Sequence, residues 1–278
     1  IGTLALSHGS GESDNYTLSG GTLELDVTTR NVTISGSKSY DGNNIVSNSS
    51  ISTFNNLVSG ESLTITGSGT ISSGAVGSNK TISLGTLTLA NGSGSASNYN
   101  LSGGTISVTR RVINLSGSKT YNGTTSITAS DINTFGNIVT GETLSLNGTG
   151  SVSSSVAENN KTLTLGSIAL SDGSGSVSNY TLSSGTHQVN ITRRSVDLSG
   201  TRVYDGSTDA SASELTTLGN LVSGETLNLS GTGALASAAV GSDKSVSIGT
   251  LALSDGSGES DNYTLSGGTL ELDVTTRN

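Results

Sequence analysis

The chain has 278 residues, a net charge of −9 and only 12% charged residues, so it has no basic surface to neutralise phosphates, and neither nucleic acid nor an anionic membrane is an expected partner. Aromatic residues make up 3% and cysteine is absent, so the core must be built of Leu, Ile, Val and Ala, without disulfides or thiol chemistry. No apolar run approaches the roughly 20 residues of a membrane span, so membrane insertion is not expected.

Residues 1–31 return at 248–278 with one difference, His8 against Asp255. Because the chain lacks Met and opens on Ile1, it is expected to be a window on a longer array of near-identical blocks. Residues 1–30 then read as the second half of a preceding module, with two or three strands short of their partners. Strand exchange with another chain is the next reading, and a module boundary lying within the repeat near Gly85 is the third.

From Val32 onward, Val32-Thr-Ile-Ser, Ser62-Leu-Thr-Ile-Thr, Thr81-Ile-Ser-Leu, Thr86-Leu-Thr-Leu and Thr105-Ile-Ser-Val alternate polar with β-branched or Leu residues. A period of two over short segments predicts strands with one buried face and one Ser/Thr face, linked by hairpins in an antiparallel sheet. Gly67-Ser-Gly69, Gly92-Ser-Gly94 and Gly103-Gly104 read as the breaks between them. Ile51 to Val58, with counterparts Ile132 to Val139 and Leu215 to Val222, places apolar residues at helical spacing, which predicts a single helical turn or an irregular crossover.

The period emerges from the tyrosines. Ser37-Lys-Ser-Tyr-Asp-Gly42 returns as Ser118-Lys-Thr-Tyr-Asn-Gly123 and Thr201-Arg-Val-Tyr-Asp-Gly206, while a second series, Asn-Tyr-x-Leu-Ser, supplies Tyr16, Tyr99, Tyr180 and Tyr263. Spacings of 81 and 83 residues define modules of about 82 residues, at 31–110, 111–193 and 194–278. Arg30, Arg110 with Arg111, Arg193 with Arg194, and Arg277 mark seams too short for a flexible linker. The expected fold is all-β: a tandem, elongated array of small antiparallel modules, sandwich-like or β-grasp-like.

Those motifs, together with Leu/Ile-Val-x-Gly-Glu-x-Leu and Val-Gly-Ser-[Asn/Asp]-Lys, resemble the YDG repeats of bacterial filamentous-haemagglutinin-like adhesins. The resemblance covers all three modules; it departs at Asn122, at Ala157-Glu158 and in seams without proline. It implies an extracellular stalk of a secreted or surface-anchored protein, without an enzymatic role.

Candidate residues fall into a few series. Tyr40, Tyr121 and Tyr204 precede turn dipeptides (Asp41-Gly42, Asn122-Gly123, Asp205-Gly206), so each ring is expected to pack a module end with its hydroxyl bonded to backbone; the four Asn-Tyr pairs read alike. Glu61, Glu142 and Glu225, with Lys80, Lys161 and Lys244, recur in every module. They suggest either an intramolecular isopeptide bond or, given so few aromatics to dry a pocket, solvent-facing hairpin charges. Asp255, Glu259 and Asp261 form a candidate Ca²⁺ loop that the first module lacks, since residues 91–98 hold no carboxylate. His8 and His187 have no partner at ligand spacing, and no nucleophile elbow accompanies the serines. No catalytic residue, cofactor or metal is therefore expected. The function expected is structural, a stalk or fibre segment of an adhesin or biofilm matrix protein, whose partners are neighbouring copies of the repeat, head-to-tail or lateral. A self-assembling filament with strand exchange and a glycan-binding module are the alternatives. Three compact modules in line predict a rod of roughly 90 to 120 Å, which small-angle scattering measures; a radius of gyration of about 20 Å would refute it.

Overall fold

The computed structural model describes residues 4–278; residues 1–3, the opening of the expected half-module, lie outside the described residues. The chain divides into two compact units. The first comprises residues up to Lys38 with Asn44–Ser72 and Asn79–Ser107; the second comprises Ser39–Asn43, Ser73–Ser78 and Val108–Asn278. Both are almost entirely β, and the helical elements among the described residues are 3-10 turns of three residues each.

In the first unit, residues 4–29 contain one such turn, Ser13–Asn15, and no strand. The two or three strands expected there do not form, although 251–276 differ only at Asp255 and carry the strands Ala252–Asp255, Tyr263–Thr264 and Glu271–Thr275. Leu25 is 87% exposed and its counterpart Leu272 is 0% exposed. The difference is one of partners: Glu271–Thr275 lies between Thr201–Val203 and Gly241–Ser247, and no such neighbours flank residues 4–29. A short strand without a sheet is marginal in water.

The remainder of the first unit is built on a sheet in the order Ile51–Asn55, Arg30–Ser39, Tyr99–Thr109, Gly77–Thr81, with side ladders Leu63–Thr66/Thr88–Asn91 and Ile45–Ser47/Ser68–Thr70. Val32, Leu63 and Tyr99 centre its core, with Phe54, Leu57, Leu89 and Ala96 against them. Alternation thus placed the strands over residues 32–35, 63–66 and 105–108, while Thr81-Ile-Ser-Leu lies in a strand only at Thr81 and Thr86-Leu-Thr-Leu only from Thr88, and two further readings are corrected. Ile51–Asn55 is a strand, preceded by the 3-10 turn Asn48–Ser50, because its Ile, Thr and Phe pair antiparallel with Thr33 to Gly36. Gly103 and Gly104 sit inside the strand Tyr99–Thr109: a Cβ on Gly104 would lie 2.4 Å from Ile34 Cγ1, so glycine is there for close approach and not for a turn.

The second unit holds the same architecture twice. One sheet runs Ile132–Gly136, Asn114–Thr120, His187–Thr192, Glu158–Thr162; the other runs Thr201–Val203, Glu271–Thr275, Gly241–Ser247, Thr232–Leu235, Asp209–Ser211. Pairing is mostly antiparallel, but the opening and closing strands of each sheet run parallel, Asn114–Thr120 with His187–Thr192 from Leu115↔His187 to Thr120↔Thr192 and Thr201–Val203 with Glu271–Thr275, as do the short ladders Arg111–Val112 with Tyr180–Thr181 and Arg194–Ser195 with Tyr263–Thr264. Hairpins cannot make that pairing, and the long chain between the two strands supplies the crossover. The helical reading also fails at Ile132–Gly136 and at Thr217–Gly219, both strands.

In the first two repeats the Ser-Gly of the Ser-Gly-[Ser/Thr]-[Lys/Arg] motif marks where the register slips. Ser116 faces Thr134, Gly117 faces Ile132, and a Cβ on Gly117 would stand 2.0 Å from Asp131 O. The same clash would meet a Cβ at Gly36 (Ser50 O, 1.9 Å) and at Gly200 (Glu214 O, 1.8 Å). Gly117→Ala is expected to destabilise its module by about 1–3 kcal/mol, because backbone must move to admit the methyl group. Urea unfolding measures it, and an unchanged midpoint would show that this close approach is not needed.

Candidate functional site

The residues that recur in every module converge at the module ends. Tyr180 closes the 3-10 turn Val177–Asn179, which aims its ring inward, and Glu142 closes a tight turn in which its N–H donates to Val139 O. Tyr180 OH donates to Glu142 Oε2 at 2.6 Å and accepts the Val139 N–H at 3.3 Å. The other oxygen, Glu142 Oε1, accepts the hydroxyl of Tyr40 at 2.5 Å, and the two rings meet edge to face with centroids 5.4 Å apart. One carboxylate therefore joins the Tyr-Asp-Gly tyrosine of one repeat to the Asn-Tyr tyrosine of the next.

The arrangement is built again 83 residues on. Glu225 accepts Tyr121 OH on Oε1 at 2.7 Å and Tyr263 OH on Oε2 at 2.6 Å, with centroids again 5.4 Å apart. Four further bonds accompany each triad. Val76 N–H donates to Asn179 Oδ1 at 3.0 Å, and Ala157 N–H to Asn262 Oδ1 at 2.8 Å, which buries both asparagines. The arginine after the seam folds onto an asparagine: Arg111 donates from Nε to Asn137 O at 2.5 Å and from Nη2 to Asn137 Oδ1 at 2.8 Å. Its Nη1 reaches back to Tyr40 O at 3.2 Å, as Arg194 Nη1 reaches Tyr121 O at 3.4 Å. Asn137 holds φ 67°, a left-handed conformation that Asn tolerates better than most residues.

These contacts correct several sequence expectations. The hydroxyls of Tyr40 and Tyr121 bond a carboxylate and not backbone, since Glu142 and Glu225 reach them first. Glu142 and Glu225 are half-buried between tyrosines and not solvent-facing hairpin charges; so is Glu61, which accepts Tyr99 OH at 2.5 Å. Lys161 is also buried, donating to Ser154 Oγ at 2.9 Å and Glu158 Oε2 at 2.7 Å, and Lys244 caps Ser237 O and Ala239 O. Lys80 is half-buried. The Lys and Glu series thus take different partners. Tyr16 and Tyr204 pack no module end: they are 69% and 41% exposed.

Asp41, Asn122 and Asp205 each accept the N–H two residues on, from Asn43, Thr124 and Ser207, which explains why Asn serves in the second copy. Gly42, Gly123 and Gly206 follow at φ 80°, 75° and 83°. The motif cation ties this turn to the strand after it: Lys119 Nζ donates to Thr124 O at 2.7 Å and Ser126 O at 2.8 Å, and Arg202 donates to Ser207 O and Asp209 O.

The candidate Ca²⁺ residues do not come together. Asp255 Oδ1 accepts both Ser260 N–H and Oγ–H at 2.7 Å, which holds its carboxyl below the usual carboxylate range, and Asp261 points to solvent, 3.8 Å from Arg193. Asn91 and Asp172 close the same loop by accepting from Ala96 and Val177, so the position needs an acceptor and not a charge. No metal-holding cluster of His, Cys, Asp or Glu occurs among the described residues. His187, buried, donates from Nε2 to Leu182 O and accepts Leu115 N–H, while His8 accepts Ser13 N–H.

Burial and the Glu142 carboxylate push Tyr40 and Tyr180 up to about 12; burial and Glu225 raise Tyr121 and Tyr263; hydrogen bonding to Glu61 raises Tyr99. Below the ordinary value of 10.0, folded and unfolded phenols are both protonated and the contribution to stability is whole. Above it the unfolded chain sheds protons that the folded chain keeps, so stability is expected to fall between pH 10.0 and about 12. Phenolate absorbance and alkaline unfolding measure this. Glu142→Ala should lower the Tyr40 and Tyr180 midpoints and cost about 1–3 kcal/mol per orphaned hydroxyl; unchanged midpoints would remove the carboxylate from the account.

No curated protein and no solved structure matches the chain. A family model described as the YDG domain matches three times in tandem, at residues 24–110, 107–188 and 186–270, and each match contains one Tyr-Asp/Asn-Gly turn and one glutamate of the Glu61, Glu142, Glu225 series. The chain accordingly belongs to the YDG domain family, as three tandem repeats.

Proposed function

We propose that the chain is a non-catalytic structural segment, a stalk of a secreted bacterial adhesin or biofilm matrix protein, in which each repeat fixes the pose of the next. The observation that carries this reading is the shared carboxylate at the two seams of the second unit, where Glu142 and Glu225 each clamp tyrosines from successive repeats. A spacer needs joints that hold a direction. Two hydroxyls on one carboxylate, an edge-to-face ring pair and an arginine reaching back to the tyrosine carbonyl provide one without a linker. The recurring polar residues engage one another in hydrogen bonds, which suits a module whose repeated chemistry is self-directed. The resemblance of the motifs to adhesin repeats supports an extracellular location as part of this reading.

Antibodies raised against residues 31–278 test the proposal on the producing bacterium. Labelling of intact cells or matrix is expected, together with loss of adhesion when one repeat is deleted from the parent protein while its secretion persists. Labelling confined to permeabilised cells would overturn it. Dose-dependent capture of the chain on a glycan array would favour the binding-module alternative.

A further inference from the structure

Four of the seven tyrosines stand in two pairs, and each pair is arranged for a reaction that packing and hydrogen bonding do not require. The hydroxyls sit on the two oxygens of one carboxylate: Tyr40 and Tyr180 on Glu142 at 2.5 and 2.6 Å, Tyr121 and Tyr263 on Glu225 at 2.7 and 2.6 Å. Because the two oxygens of a carboxylate are close neighbours, the hydroxyl ends of both rings are drawn together, and with them the ring carbons that flank each hydroxyl. The centroids stand 5.4 Å apart in both pairs, at interplanar angles of 82° and 78°. Those flanking carbons are where two phenoxyl radicals couple, and a bond between them holds its rings twisted instead of stacked, as these rings already are.

Burial decides how such a reaction proceeds. Tyr40, Tyr180, Tyr121 and Tyr263 are 7%, 1%, 5% and 2% exposed, so a bulky reagent does not touch them. An electron leaves a buried ring by tunnelling, without contact, but the phenol proton must pass to a base within hydrogen-bond reach. Tyr40 and Tyr180, held up to about 12, keep their protons at neutral pH, and loss of an electron turns a phenol into a strong acid. Glu142 and Glu225 are the bases in reach, and being half-buried they hand protons on to water.

We propose that Tyr40 with Tyr180, and Tyr121 with Tyr263, are sites of tyrosine–tyrosine cross-linking by a one-electron oxidant, a modification that turns each hydrogen-bonded joint into a covalent one. Each phenol gives one electron to the oxidant and its proton to the glutamate, which leaves two phenoxyl radicals. These couple through the carbons beside the hydroxyls, and the ring hydrogens on the two joined carbons move to the oxygens and restore both phenols. Two equivalents of oxidant are reduced, two protons leave, and each linked joint is lighter by two hydrogen atoms. Two radicals held in register have a high effective concentration, so coupling inside the joint outruns encounters between molecules. The link closes a loop across a whole repeat, which restricts the unfolded chain and raises the urea midpoint. None of this depends on the stalk reading, since both pairs lie within the chain wherever it is located.

The test uses the whole chain carrying Tyr16→Phe and Tyr204→Phe, which removes the two exposed phenols. It is oxidised at low protein concentration with photogenerated tris(bipyridyl)ruthenium(III). A Lys or Arg separates every tyrosine from the next, so trypsin puts each in its own peptide and mass spectrometry reads which are joined. Joined peptides of Tyr40 with Tyr180 and of Tyr121 with Tyr263 are expected. Tyr99 should stay unlinked, because among the described residues no second phenol shares Glu61 with it. In urea the same treatment should scatter links over the five remaining tyrosines. Glu142→Gln keeps the shape of the side chain and is no base, so it should lower the Tyr40–Tyr180 yield several-fold and leave Tyr121–Tyr263, in the same molecule, unchanged. If thermal melting shows that Glu142→Gln loosens the seam, the comparison of native with urea-unfolded chain decides instead. A native chain without joined pairs, links to Tyr99 as frequent as those within the pairs, or a Tyr40–Tyr180 yield that Glu142→Gln does not change would each overturn the proposal.

Discussion

A carboxylate shared by two phenols is the contact on which the repeat-to-repeat joint depends. Glu142 and Glu225 are each held by tyrosines that arrive from opposite sides, and each tyrosine is itself fixed by its own module. Charge-assisted O–H···O⁻ bonds are short and directional, and two on one carboxylate define an angle as well as a distance. With 3% aromatic residues in the whole chain, placing four of seven tyrosines at two joints leaves the module cores mainly to Leu, Ile and Val, joined in the first unit by Tyr99 and Phe54. Aliphatic packing holds each module together, and directional polar bonds hold one module to the next.

The turn chemistry serves that joint. Asp41, Asn122 and Asp205 fold the chain back through an N–H two residues on, a glycine with positive φ completes the turn, and a motif Lys or Arg fastens the loop to the next strand's carbonyls. A tyrosine on so constrained a turn projects its ring in one direction. The arginine–asparagine clamp does the same from the other side, since Asn137 and Asn220 offer both a backbone and a side-chain oxygen to one guanidinium.

Much of this was legible from residue order. The tyrosine period, the all-β character and most strands follow from alternation, because a two-residue repeat of apolar side chains is a local signal. The glutamates were harder to read. Glu142 lies 38 residues from Tyr180 and 102 from Tyr40, so nothing local marks it as their acceptor, and a charged residue after glycine looks like a hairpin tip. The recurrence of Glu and both tyrosine series at one period was the available clue. Residues 4–29 show why the rest was hidden: the sequence that forms a central strand at Glu271–Thr275 forms none at the start of the chain, so strand formation there depends on partners and not on composition. Ile51–Asn55 misled for a related reason, its apolar spacing fitting a helix until the register with Thr33 to Gly36 decides otherwise.

The parallel pairing of a repeat's opening and closing strands bears on mechanics. In a chain pulled from its two ends, tension would enter the second repeat through Asn114–Thr120 and leave through His187–Thr192, and these strands run side by side in the same direction across six paired residues. Pulling the start of one against the end of the other slides them lengthwise, so their hydrogen bonds are loaded together in shear instead of opening one at a time like a zipper. The third repeat offers four such pairs, Leu198↔Leu270 and Thr201↔Asp273 to Val203↔Thr275, with the ladder broken between them. Under equal load that interrupted clasp should yield first, leaving the second repeat as the stiffer link.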